Sequence, residues 1–131
     1  MVLINNINLS NYRNFKNTNI LFDKKLNIFF GDNGSGKTNI LESLSLISKG
    51  RGFRNSNLTN LIKKNNINFF INSQIEIKKN LYDVNISTKQ IEDRMKKTIK
   101  LNDDSSKESI DFLNNSLSFL IFLPEMERLF Q

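Results

Sequence analysis

The sequence predicts an α/β fold, and three observations point to it. An apolar run, Leu26–Phe30, stops at a glycine-rich loop, and helical periodicity begins directly afterwards at Lys37. Period-two alternation between Phe69 and Leu101 describes an antiparallel sub-sheet. A second apolar run, Leu117–Leu123, returns late in the chain as a final buried segment.

Each element has its own warrant. Ile4, Ile7 and Leu9 alternate loosely and lead into the polar-aromatic stretch Asn11-Tyr12-Arg13-Asn14-Phe15. Thr18–Phe22 reads as a second strand, and Asp23-Lys24-Lys25 as a turn into a third, Leu26–Phe30, apolar apart from Asn27 as a strand buried on both faces should be. After the loop, Ile40, Leu41, Leu44 and Ile47 form a helical stripe, with Gly50 as its C-terminal stop. Leu58, Leu61 and Ile62 suggest a short second helix ending near Lys63 and Lys64.

Phe69, Ile71, Ile75 and Ile77 then share one strand face, opposite Asn72, Gln74 and Glu76. Lys78–Asn80 is a turn, Tyr82, Val84 and Ile86 alternate again, and Ile99 with Leu101 adds a third short strand. Ser105 and Glu108 have capping-box spacing ahead of a helix carrying Ile110, Leu113 and Leu117. Pro124 ends the last apolar run. The expected division is a phosphate-loop core over 1–66 and 117–131, an antiparallel sub-sheet over about 67–101, and a linker and helix over 102–116. Phe29, Phe30, Phe69, Phe119 and Phe122 sit in strand patterns and are expected in the core.

Composition removes several chemistries. The 131 residues contain no Cys and no His, which excludes disulfides, thiolate or imidazole metal sites and a Ser-His-Asp triad. No apolar run reaches the roughly 18 residues of a membrane span, and the start lacks the basic region of a secretory signal. Lys plus Arg number 19 against 13 Asp plus Glu, a net charge of +6. That excess is compatible with a nucleic-acid partner. It is equally what an AT-rich genome produces, since Asn, Ile, Lys and Phe crowd the chain and Ala is absent.

The chemistry lies in Gly31-Asp32-Asn33-Gly34-Ser35-Gly36-Lys37-Thr38, which fits G-x-x-x-x-G-K-[ST] at every fixed position. A triphosphate needs several backbone N–H groups converging on its oxygens, and glycine lets the chain wrap that closely. The helix N-terminus adds unsatisfied donors and about half a positive charge. Lys37 reaches the β- and γ-phosphates, and the Thr38 hydroxyl is a ligand for Mg²⁺. Phosphoryl transfer also requires a second carboxylate on the metal, and no Asp follows a suitable apolar strand. Asp23 belongs to a turn and Asp83 to an alternating strand. Either the chain is the front part of a larger ATPase, or it binds ATP without efficient hydrolysis.

Further segments occur in a familiar order. Asn11-Tyr12-Arg13-Asn14, then Gly31–Thr38 running into Asn39-Ile40-Leu41-Glu42, then Gly50-Arg51-Gly52-Phe53-Arg54, then Pro124-Glu125-Met126-Glu127-Arg128-Leu129 resemble the SMC-like branch of ABC-type ATPases, and within it the RecF family of bacterial DNA replication and repair proteins. Gly52 and Leu123 depart from that pattern, where Ser, and Ser or Thr, are usual. The resemblance implies a cytoplasmic protein with ATP and Mg²⁺ as cofactors and weak ATPase activity. It implies an ATP-dependent homodimer that meets single-stranded or gapped DNA together with RecO and RecR, in recombinational repair and the SOS response. The Walker B and signature motifs are then expected beyond Gln131.

The same resemblance turns Arg13 toward the nucleotide phosphates, although a solvated loop arginine is the simpler role. Arg51 and Arg54 flank Phe53 and suit either a DNA backbone contact or a helix C-terminus. Glu125 either holds water on the metal or sits at the rim. The competing classes are another ABC/SMC-type nucleotide-binding subunit, a small kinase or GTPase, and a plain nucleic-acid module. The kinase or GTPase lacks a base-specificity motif such as N-K-x-D, and the plain module leaves the loop without a use.

Overall fold

The computed structural model describes residues 1–48 and 51–122. Six strands form one antiparallel sheet: β1 (Val2–Ile4), β2 (Asn6–Tyr12), β3 (Phe15–Leu21), β4 (Phe70–Ile77), β5 (Asn80–Ile91) and β6 (Arg94–Leu101). The order is β3-β2-β4-β5-β6, with β1 also paired to β4. The join of β2 to β4 sets Leu9 opposite Ile71, so the sheet runs unbroken from the first strands into the Phe69–Leu101 region. Among the described residues three helices accompany the sheet: α1 (Lys37–Ser45), α2 (Leu58–Leu61) and α3 (Lys107–Ser116).

Alternation decides which face of the sheet is covered. Ile7, Leu9, Ile71, Ile75, Ile77, Val84 and Ile86 are all buried on one side. The opposite side is amide-rich: Asn8 bonds Asn72 at 3.4 Å, and Asn72 bonds Asn85 at 2.7 Å. Leu46, Ile47, Leu61, Leu113 and Leu117 close the core over the apolar face, and the Tyr12 ring meets Phe69 edge-on at 5.5 Å.

Four expectations change. Leu26–Phe30 is not a buried strand; it is without regular structure, and Leu26, Ile28 and Phe30 are between 72% and 91% exposed. A strand requires a hydrogen-bonding neighbour on at least one side, and among the described residues every strand belongs to the antiparallel sheet. Leu117 is buried and Phe119 packs on the core, but 117–122 has no regular structure and Leu120 and Phe122 are exposed. Phe30 and Phe122 are therefore not core residues. Gly50 and residues 123–131, including Pro124 and Glu125, lie outside the described residues.

The helix after the loop also buries more than its apolar stripe, from which Leu41 alone is exposed. Leu41 is 44% exposed, while Glu42, Ser43 and Ser45 are buried with Leu46 and Ile47. Finally, α3 is capped one residue later than expected: Ser106, not Ser105, accepts the Ser109 N–H at 3.3 Å. Asp104 holds that cap, accepting from Ser106 Oγ at 2.7 Å and Ser109 Oγ at 2.6 Å. Ser106→Ala is expected to cost about 0.5–2 kcal/mol and Ser105→Ala close to nothing, as read from urea unfolding midpoints. Equal effects would contradict the cap.

Candidate phosphate-binding site

The loop 31–38 enters α1 through Gly36, the N-cap residue, at φ 106° in the left-handed region. Gly36 is also pressed from outside, since a Cβ there would stand 2.7 Å from Phe15 Cζ and 2.8 Å from Asn14 Nδ2. Two separate constraints, backbone sign and close approach, thus demand glycine at this position. Asn14 Nδ2 donates to Ser35 O at 3.3 Å, and Asn39 Nδ2 donates to Asn14 Oδ1 at 2.9 Å. The turn after β2 therefore buttresses the loop from behind.

In front of the loop is an open cavity of about 270 Å³, lined by Asn33, Gly34, Gly36, Lys37, Thr38, Asn39 and Arg54. That is slightly under the ~300–1,000 Å³ of sites that enclose a whole small molecule, a size suited to a phosphate chain. Lys37 Nζ donates to the carbonyls of Gly31 and Asp32 and so spans the loop. A larger groove of about 350 Å³, lined by Ile4, Phe22, Phe29, Leu41 and Leu44 among others, lacks the glycine loop and helix N-terminus.

Behind the cavity lies a charged cluster centred on Glu42, whose side chain is 0% exposed. Glu42 Oε2 accepts from Tyr12 OH at 3.1 Å and from Arg13 Nε at 3.0 Å. Glu42 Oε1 accepts from Arg13 Nη2 at 3.0 Å and Ser56 Oγ at 3.2 Å. Arg54 Nη1 approaches Oε2 at 3.4 Å and donates to Asn39 Oδ1 at 3.1 Å. Burial first, and then the Glu42 charge, holds the Tyr12 phenol well above its ordinary pKa, so it remains a donor. Burial lowers the Arg13 pKa, but the bonds to Glu42 outweigh it and the net direction is up.

The structure thus gathers Asn33, Gly34, Gly36, Lys37, Thr38, Asn39 and Arg54 around one cavity, and of the expected loop residues Gly31, Asp32 and Ser35 do not line it. Arg13 stands behind it on Glu42 and Ser56. Arg51 is exposed and does not line the cavity. Sequence reasoning missed Glu42, Tyr12, Asn14, Asn39 and Ser56 as parts of the site. The available signal for Glu42 was its place, with Ser45, on the helix side opposite the apolar stripe.

The sequence profile of the AAA domain family matches residues 6–125. The chain belongs to that family. Among curated proteins, the DNA replication and repair protein RecF of Ruminiclostridium cellulolyticum is 43% identical over 124 residues, 95% of this chain and 32% of that protein. The RecF of Rickettsia typhi is 35% identical over 129 residues, 98% of this chain and 35% of its own length. The chain matches the N-terminal part of RecF and spans about a third of the curated relatives' length. Among solved structures, the recombination mediator protein RecF with ATP, of the RecFOR pathway, aligns at a TM-score of 0.81 and 26% identity, covering 98% of this chain and 34% of that one. A RecF structure with ATPrS aligns at the same TM-score of 0.81, with 27% identity.

Gly36→Ala is expected to cost about 2–4 kcal/mol, combining positive-φ strain with overpacking against Asn14 and Phe15. Gly34→Ala meets no atom within 4 Å and carries the φ 83° strain alone, about 1–2 kcal/mol. Thermal melts of the two variants check the ranking, and equal losses would remove the close-approach argument.

Proposed function

We propose that this chain is the phosphate-binding portion of a RecF-type, ATP-binding DNA replication and repair protein. The carrying observation is the loop 31–38, which opens into α1 at left-handed Gly36 with Lys37 and Thr38 lining the cavity. Family membership and relatedness to RecF proteins, including one in complex with ATP, support the nucleotide as ATP.

Binding follows from the geometry in three parts. The N–H groups of Gly36, Lys37 and Thr38 lie at the start of α1, where a helix leaves its donors unpaired and anions are favoured, while the Ser35 N–H already donates to Asp32 O at 3.1 Å. Lys37 supplies the point charge, exchanging the Gly31 and Asp32 carbonyls for phosphate oxygens. Thr38, exposed on the cavity wall, supplies a hydroxyl oxygen for Mg²⁺. That single ligand fits a cation which keeps most of its water and takes further oxygens from phosphate. When bound, Mg²⁺ neutralises developing charge on the phosphates.

The remainder of the proposal concerns the intact protein. It places the loop in a phosphate-loop core of residues 1–66 and 117–131, beside a sub-sheet of about 67–101 and a linker and helix over 102–116. It gives the protein an ATP-dependent homodimer, single-stranded or gapped DNA as ligand, RecO and RecR as partners, and a cytoplasmic role in recombinational repair and the SOS response. Arg51, exposed and outside the cavity lining, and Arg54 at the cavity wall are the candidate DNA contacts.

In the intact protein, Lys37→Ala is expected to weaken ATP binding at least 100-fold in fluorescent-nucleotide titrations, and to abolish ATP-dependent retention on gapped DNA. Thr38→Ala is expected to remove most of the Mg²⁺ dependence of binding while leaving the metal-free affinity near wild type. Unchanged affinity in Lys37→Ala would overturn the site. Unchanged Mg²⁺ dependence in Thr38→Ala would overturn the metal ligand.

A further inference from the structure

We propose that Glu42 is a positioning residue of the phosphate site, and that it acts through Arg54. The inference rests on the nucleotide reading of the cavity. Its starting point is an asymmetry between two arginines that share one carboxylate.

Arg13 is committed to Glu42. Its Nε and Nη2 both donate to the carboxylate at 3.0 Å, Nη2 also reaches Ser56 Oγ at 3.0 Å, and its side chain is 21% exposed. Arg54 is held more loosely. Its contact with Glu42 is 3.4 Å, its side chain is 33% exposed, and both its hydrogen bonds leave from Nη1. Its Nε and Nη2 have no hydrogen-bond partner among the described residues, and the residue lines the cavity beside Thr38. A guanidinium gripped by one nitrogen, with its other donors available at a phosphate-sized cavity, is arranged to take an anionic oxygen.

Glu42 can serve this purpose because its charge is otherwise satisfied. Tyr12, Arg13 and Ser56 together supply four of its five side-chain hydrogen bonds. Arg54 is therefore not needed to neutralise the carboxylate, and Glu42 instead fixes where Arg54 stands. Asn39 shares that duty from α1, and Asn14 connects it to the loop backbone at Ser35. The aromatic face of Phe53, 5.8 Å from the guanidinium carbon, limits the remaining swing.

The test is a double-mutant cycle on ATP affinity in the intact protein, using a fluorescent ATP analogue with Mg²⁺, alongside thermal melts. Glu42→Gln keeps the shape and removes the charge, and about a tenfold loss of affinity is expected. Arg54→Ala is expected to lose as much or more. Combining the two is expected to add nothing to Arg54→Ala alone, a pattern that loss of general stability does not produce. Wild-type affinity in Glu42→Gln, or additive losses in the double variant, would overturn the inference.

Arg54→Lys, at a partly exposed position, covers the case in which Glu42→Gln does not fold. A lysine cannot hold Glu42 and Asn39 while offering a planar pair of donors, so a similar loss is expected, and wild-type affinity would count against the proposal. Lys37→Ala serves as the site control. If the wild type binds no ATP, or Lys37→Ala binds normally, the nucleotide reading fails and this inference with it. If both controls behave and Glu42→Gln does not, only the inference fails.

Discussion

A fully buried carboxylate organises the middle of this molecule. Moving Glu42 out of water costs several kcal/mol, and that cost is offset only where donors surround the charge. Here they come from two directions, Tyr12 and Arg13 at the end of β2 and Ser56 and Arg54 from the segment before α2, and meet on α1, which carries Glu42. The interaction thus does the work usually left to apolar packing, pinning α1 to the sheet end while its inner face carries Ser43 and Ser45. The small serines let that end of the helix lie close. Ser45 Oγ even accepts the Phe53 N–H at 3.0 Å, drawing the following segment inward.

The phosphate loop inherits its shape from this arrangement. With α1 fixed, the left-handed Gly36 sits directly against Phe15 and Asn14, in the turn that follows Arg13. Tyr12 and Arg13 grip the helix, Asn14 steadies Ser35, and Phe15 begins β3. Four consecutive residues thus share three duties around one loop. Arg13 itself is at φ 51°, an unfavourable conformation for a side-chain-bearing residue, and its bidentate pairing offsets that strain.

How much of this was legible in the sequence differs by the kind of signal. Fixed spacing marked the segment from Gly31 to Thr38, and the structure forms there a loop that enters α1 at the left-handed Gly36. Strict alternation carried β4 and β5, because a half-buried antiparallel sheet imposes period two on Phe69–Ile77 and on Tyr82–Ile86. Apolar runs misled. Leu26–Phe30 has strand composition, but composition does not supply a neighbouring strand, and the structure leaves it exposed. The α1 stripe misled for a related reason: hydrophobicity at 40, 41, 44 and 47 does not reveal that buried polar bonds hold the opposite face. Glu42 escaped notice because a glutamate within a helix is ordinarily solvated, and its partners lie up to 30 positions away.

The same cluster bears on the basic character of the chain. Lysines at turns and strand ends account for much of the +6, and composition alone could not assign them a partner. Around Glu42 the balance is local and can be followed: two arginines meet one carboxylate, leaving one positive charge in excess. Lys37, on the cavity side, adds a second. On the proposed reading this pair of charges stands beside the N–H groups of a helix start, so an entering phosphate would meet donors already in place. The attraction of exposed surface lysines for an anion is screened within about 8–10 Å at physiological salt. On that reading, the charge that matters for binding is the part that Glu42 has partly cancelled. Cancellation is what allows two arginines to be packed together there at all, and so what gives one of them a defined position at the rim.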